Sequence, residues 1–285
     1  MTGRRVRRIW SWVGLALVSA LISTFYAAET GPQRIVSLAP SVTEALFEAG
    51  LGSRVVGVTS YCRFPPEVLR LPKVGGYLTP SYEALVALRP DLVVTLPEHA
   101  DIEPQLAALN IPTLRVDHRS VEGIVQSIVT LGERCGAPAS AARAADALRQ
   151  HLAHVRQMAA GGPRPRVLVC FGRSEDFRRL YAAAPGTIHD DLIRQAGGQN
   201  ALASGVVSYP TLSAEGVMRL DPDVIVEFAA GGLDAAVLRR QWNALGSLRA
   251  VTTGRVHVFT DDFLPVPGPR FVRFAETIAT VLHPR

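Results

Sequence analysis

Four tyrosines and two glutamates are the residues of this chain whose placement points to chemistry. Tyr61, Tyr77, Tyr181 and Tyr209 fall in predicted loops after strands or before helices, outside every segment with apolar periodicity. Aromatic rings with a polar edge wall a site for a large, flat, partly polar ligand. A loop tyrosine also serves simply to cover a sheet end, but Tyr77 and Tyr209 form a pair, 132 residues apart. Each precedes a glutamate, Glu83 or Glu215, by six positions. Either glutamate alone reads as a complement to a helix dipole. In matched places on two halves of one molecule, the two carboxylates offer paired anionic anchors to a basic partner.

No set of residues reads as a catalytic centre. The segment Gly172-Arg-Ser174-Glu-Asp176 lacks the second glycine of a nucleophile elbow, which leaves Ser174 as a loop serine. His151 and His154 lie three residues apart on one predicted helix, but no cysteine or carboxylate is spaced to complete a metal set. The glycine pairs beginning at 75, 161, 197 and 231 match neither a phosphate loop nor a dinucleotide fingerprint. The expectation is a binding protein with no catalytic residues and no resident metal or cofactor.

The elements that must hold these residues are written twice. Tyr77-Leu-Thr-Pro-Ser-Tyr-Glu83 continues through Leu88-Arg-Pro-Asp91 to Val94, and Tyr209-Pro-Thr-Leu-Ser-Ala-Glu215 continues through Leu220-Asp-Pro-Asp223 to Val226. Arg34-Ile-Val-Ser-Leu38 and Arg166-Val-Leu-Val-Cys170 keep the same offset. Ser81 and Ser213 suit helix N-caps, whose hydroxyls accept from unpaired backbone N–H groups. Pro90 and Pro222 stop the helices that follow. The short apolar runs after Asp91 and Asp223 read as strands buried on both faces of a mostly parallel sheet. Each half therefore contains a helix that feeds a buried strand.

Between the halves, Ala141, Ala144, Ala145, Leu148, Leu152, Val155 and Ala159 recur at helical steps with no glycine or proline among them. The expected organisation is an α/β chain of two Rossmann-like lobes, residues 33–138 and 163–285, joined by one long helix over 139–160 with a cleft between the lobes. One rigid connection predicts limited closure. The first 28 residues read as a signal peptide, with Arg4, Arg5, Arg7 and Arg8 ahead of an apolar run. Those four arginines account for most of the net charge of +5, leaving +1, so the mature surface gives no electrostatic case for nucleic acid. Cys62, Cys135 and Cys170 allow at most one intramolecular disulfide, and none stands where an N-terminal lipid would attach. The chain is expected to be monomeric and exported to a periplasm without a lipid anchor.

Arg34-Ile-Val-Ser-Leu-Ala-Pro-Ser-Val-Thr-Glu44, Val56-Gly-Val-Thr-Ser-Tyr-Cys-Arg-Phe-Pro-Pro66, Lys73-Val-Gly-Gly-Tyr77 and Leu88-Arg-Pro-Asp-Leu-Val-Val94 together carry a resemblance. The chain resembles the periplasmic substrate-binding proteins of ABC importers for vitamin B12, iron–siderophores and haem, the group with a single connecting helix. It is nearest to the cobalamin-binding branch. The resemblance covers Arg34 to Leu282. It implies that Tyr61, Tyr77, Tyr181, Tyr209, Asp262 and Phe263 line the ligand cleft. It also implies that Glu83 and Glu215 dock onto arginines of the membrane permease. Tyr77 and Tyr209 stand where the enterobacterial cobalamin binder has tryptophan, and the haem branch has an iron-ligating tyrosine at the place matching Tyr77. The resemblance thus implies a corrinoid receptor, with haem or an iron–siderophore complex as the alternative cargo. An exported metal-dependent enzyme on the same scaffold is the contrasting class.

Overall fold

The computed structural model describes residues 31–203, 205, 207–229 and 233–284, so the signal peptide expected at residues 1–28 lies outside the described residues. The first half runs β1 (Ile35–Ser37), α1 (Pro40–Glu48), β2 (Val55–Val58), α2 (Tyr82–Leu88) and β3 (Leu92–Thr95). It continues with α3 (Glu103–Ala108), β4 (Thr113–Arg115) and α4 (Val121–Arg134). Its strands pair in the order β2-β1-β3-β4, all parallel. Helix α5 (Pro138–Ala159) then carries the chain to the second half, and its 22 residues span about 33 Å at the usual rise.

The second half opens with β5 (Arg166–Arg173), β6 (Leu180–Ala182), α6 (Ile188–Gln195), β7 (Gln199–Asn200) and β8 (Thr211–Leu212). Next come α7 (Ala214–Leu220), β9 (Val224–Phe228), α8 (Ala235–Gln241), α9 (Arg249–Thr252) and β10 (Val256–Phe259). Helices α10 (Pro269–Arg273) and α11 (Ala275–Leu282) close the chain. This sheet is mixed: β10, β9 and β5 are parallel, whereas β6 and β8 return antiparallel. The segment expected as a loop up to Tyr181 is therefore a hairpin in which Phe171 faces Tyr181. Its turn is closed by Ser174, whose amide donates to the Arg179 carbonyl and whose hydroxyl donates to Asp176 Oδ1. Among the described residues no helix is long and apolar enough to cross a membrane.

Alternation along the central strands assigns each face to a different core. Ile35, Leu92, Val94, Val167, Val169, Val224 and Val226 face one continuous core that also takes in α1, α4, α5, α6, α10 and α11. Val36 and Val93 face a core of the first half alone, and Leu168, Cys170 and Ile225 face one of the second half alone. The core between the sheets thus belongs to both lobes. Polar ties reinforce it. Arg270 of α10 pairs with Glu44 of α1 at 2.7 Å, and Arg273 pairs with Glu48 through two nitrogens at 2.7 and 3.0 Å. Asp191 of α6 accepts from the Val121 amide at the start of α4, at 2.8 Å.

The repeat in the sequence is a repeat in the structure. Ile35 faces Leu92 and Val167 faces Val224, so both pairs of strands keep one register. Asp91 accepts from the Arg34 amide and Asp223 from the Arg166 amide, each at 2.8 Å. Ser81 accepts from the Ala84 amide and Ser213 from the Gly216 amide, as N-caps of α2 and α7. Both helices end on a left-handed residue, Arg89 at φ 45° and Asp221 at φ 38°. All three cysteines are buried and free, so the one disulfide the count allows is not formed.

Candidate functional site

A cleft of about 700 Å³ opens at the carboxyl ends of the first sheet, where open α/β sheets bind ligands. Tyr61, Arg63, Tyr77 and Leu96 line it from the first half, and Asp262 with the Pro265–Pro267 turn lines it from the second. Tyr61 is placed by its neighbour. The buried Cys62 thiol lies 3.2 Å from both the Thr43 and Thr59 hydroxyls, which turns the flanking Tyr61 and Arg63 outward. Tyr61 is 62% exposed. Tyr77 is placed by the loop before it, where Gly75 has φ +99° and a Cβ would meet the Thr79 carbonyl at 2.7 Å.

His99, in the turn that follows β3, holds Tyr77 from behind. Its Nδ1 accepts from the Leu96 amide at 2.9 Å, which leaves the proton on Nε2 to donate to the Tyr77 carbonyl at 3.0 Å. The two rings meet edge to face at 4.9 Å between centroids. Burial lowers the His99 pKa, so the ring is neutral. The Tyr77 phenol is pushed up to about 12, first by burial and then by the charge and hydrogen bonding of Glu98. The sequence shows no local sign of His99, the side chain that fixes Tyr77, or of Glu98 beside it. They sit at the carboxyl end of a strand, the same position that singled out Tyr61.

On the second half, Tyr209 packs edge-on against Phe171 at 5.4 Å and against His189 at 6.0 Å. Tyr181, on β6, is the strand partner of Phe171, so the two tyrosines share one aromatic wall. Neither is among the residues lining the 700 Å³ cleft. Burial raises the pKa of the Tyr209 phenol too, with the Glu98 charge as a lesser cause. His189, caged by Phe171, Phe228 and Phe271, is held down to about 4 by burial.

Asp262 lines the cleft and bonds Arg270 at 3.2 Å, whereas Phe263 packs its ring on Phe274 at 5.5 Å and lies outside the cleft lining. The Arg270 guanidinium stacks over Phe64 at 4.1 Å, which fastens the Tyr61–Phe64 loop to the second half. Glu44 beneath it has its pKa raised by burial, against the opposing effect of the Arg270 bond. Glu44 and Arg270 are 226 residues apart, and no local pattern joins them.

Glu83 and Glu215 are exposed in the first turns of α2 and α7. Glu215 accepts from the Ser213 hydroxyl at 2.8 Å, a bond that lowers its pKa. Ser174 is held within its hairpin turn, and His151 bonds the Arg273 carbonyl at 3.0 Å. Among the described residues, no three His, Cys, Asp or Glu side chains are grouped to hold a metal.

A protein-family model described as periplasmic binding protein matches residues 35–262. The vitamin B12-binding protein of Photorhabdus laumondii is 29% identical over 274 residues, 95% of each chain. That of Yersinia pseudotuberculosis is 32% identical over 213 residues, 74% of this chain and 75% of its own. The structure of the periplasmic vitamin B12 binding protein BtuF of Vibrio cholerae matches with TM-score 0.75 at 29% identity, covering 88% of this chain and 96% of that one. A periplasmic haem-binding protein from Pseudomonas aeruginosa matches with TM-score 0.75 at 26% identity, covering 89% and 93%.

Proposed function

The chain belongs to the family of periplasmic binding proteins, and we propose that it captures a corrinoid between its lobes and delivers it to an ABC importer of the inner membrane. The observation that carries this reading is the aromatic cleft, 700 Å³ with Tyr61 and Tyr77 on one wall, in a chain similar to vitamin B12-binding proteins along nearly its whole length. Packing on exposed ring faces, with a few polar groups at the rim, holds a preformed ligand without any reacting group. Tyr61, Tyr77 and Asp262 contact the ligand first, Tyr181 and Tyr209 meet it from the opposite lobe, and Phe263 supports the rim. Glu83 and Glu215 are the docking carboxylates for the permease. The lobes are residues 33–138 and 163–285, joined through 139–160. The protein works as a monomer in the periplasm, exported by its N-terminal segment without a lipid anchor, and carries no resident cofactor and no catalytic step.

Haem is the second cargo, favoured by the likeness to haem-binding proteins and by a tyrosine at position 77. The test is a visible spectrum of the purified mature protein, desalted after incubation with cyanocobalamin or with haemin. The expected result is corrinoid absorbance retained at one ligand per chain. A haem band retained instead, and removed by Tyr77→Phe, would replace the corrinoid and leave the receptor role standing.

A further inference from the structure

A second concavity, of about 310 Å³, lies at the amino ends of β5, β9 and β10, the end of the second sheet away from Asp262. It shares no lining residue with the 700 Å³ cleft. Arg164, Arg249 and Arg255 line it, against one acid, Asp223. The three cations come from segments that meet only in the fold: the loop between α5 and β5, the start of α9, and the residue before β10. Arg164 stands between Pro163 and Pro165, and a residue before proline is kept extended, so its backbone is preset. Its guanidinium is exposed and has no hydrogen-bond or ion-pair partner among the described residues. Arg255 donates to the Leu282 carbonyl at 2.8 Å, a bond that orients the guanidinium and leaves its charge whole. His257, two residues along β10, has its pKa lowered first by burial and then by that charge. Arg249 bonds Asp223 at 2.6 Å and reaches Asp221 at 3.5 Å. Both oxygens of Asp223 are spent, Oδ1 on Arg249 and Oδ2 on the Arg166 amide.

We propose that this concavity is a second binding site, for a phosphate group, separate from the cargo cleft. A guanidinium presents a fork of N–H donors that matches the oxygens of a phosphate, and three of them around one concavity reach it from three sides. Arg164 supplies the donors that nothing else engages. Arg255 adds a charge that only carbonyls oppose, and Arg249 closes the third side while it stays on Asp223. The volume is at the small end of the range for ligand sites, which suits a compact phosphate ester and not a cofactor. Two sources carry that chemistry, a soluble phosphate ester and a phospholipid headgroup, and the test separates them. The inference is independent of which cargo the cleft takes.

The experiment compares wild type, Arg164→Ala, Arg164→Lys and Arg255→Gln. Each is titrated calorimetrically with glycerol 3-phosphate at low ionic strength, and each is floated with vesicles of phosphatidylglycerol or, as the neutral control, phosphatidylcholine. Arg164 is exposed and unpaired, and Arg255→Gln keeps an N–H for the Leu282 carbonyl, so the variants should fold, which their urea midpoints check. Wild type is expected to bind the ester at one site per chain. Arg164→Ala and Arg255→Gln should each weaken it by about tenfold or more, the size of one hydrogen bond to a charged group, with Arg164→Lys between them and wild type. Flotation of wild type with phosphatidylglycerol, lost in Arg164→Ala and without binding of the soluble ester, would support the site and assign its phosphate to a lipid. Binding of neither probe, or binding that every variant shares, an adventitious ion only, would overturn the proposal. A matching loss of cyanocobalamin affinity in the variants would overturn the separation from the cleft.

Discussion

His118 and His189 are buried so completely that each is held down to about 4, and burial is the main cause in both. His118 uses Nε2 to donate to Ser127, whose own hydroxyl is committed to the Ile124 carbonyl, and its Nδ1 is buried without a partner. In the unfolded chain both rings titrate near 6.5. The unfolded state therefore takes up protons first as pH falls, and the stability present above 6.5 is lost on the way down to about 4, by up to about 3 kcal/mol for each ring. Glu44 has the opposite sign, because its raised pKa makes the folded state take its proton first, so acid relieves part of the loss. With two rings against one carboxyl, the urea midpoint should drop between pH 7 and pH 4.5. His189→Phe, which keeps the aromatic cage and removes a buried unpaired nitrogen, should flatten that drop and cost little at neutral pH. At this scale the sequence was a poor guide. A histidine between Ile188 and Asp190 shows nothing of the four rings that surround it, since Phe171, Tyr209, Phe228 and Phe271 come from three other elements and a loop.

Among the elements, the repeat was legible because its signals are local. Ser81, Glu83, Pro90 and Asp91 each act within a few residues, and the counterparts at 213, 215, 222 and 223 repeat the geometry. Ser81→Ala and Ser213→Ala should each lower stability by about 1 kcal/mol in urea unfolding, the usual value of an N-cap. A clear difference between the two would mean that the modules are equivalent in shape and not in energy. The long helix was legible from its apolar steps, and α5 begins and ends within one residue of the expected range. The β5–β6 hairpin was not. Its turn from Ser174 to Arg179 carries none of the short Asn-Gly or Gly-X pairs that announce a hairpin, and it is shaped by serine and aspartate side chains instead. Tyr181, expected in a loop, therefore lies on β6, outside the residues that line the 700 Å³ cleft. His99 gave no signal in the sequence because its two ring bonds run to backbone atoms, one of them 22 residues away.

Across the whole molecule, the shared core and the Arg270–Glu44 and Arg273–Glu48 pairs tie the lobes together at places far from the connecting helix in sequence. Large closing motions would have to break the shared core and these ion pairs, so ligand entry is expected to move loops more than lobes. That makes docking separable from binding. Charge reversal at both Glu83 and Glu215 should abolish transport into vesicles that contain the importer, while the affinity for cyanocobalamin stays unchanged. Loss of affinity with docking preserved would reverse the assignment of those two residues.

The shared register of the two halves, Ile35 on Leu92 and Val167 on Val224, carries a kinetic consequence. A half-turn relating the two matched segments would exchange Glu83 with Glu215, the carboxylates proposed to dock. On that proposal, an importer with two identical membrane subunits would offer the receptor two productive ways to land. Because orientation is what limits association between proteins, that degeneracy would raise the arrival rate by about twofold with no added contact. A receptor with one docking carboxylate per molecule would have to find its single correct azimuth on every approach.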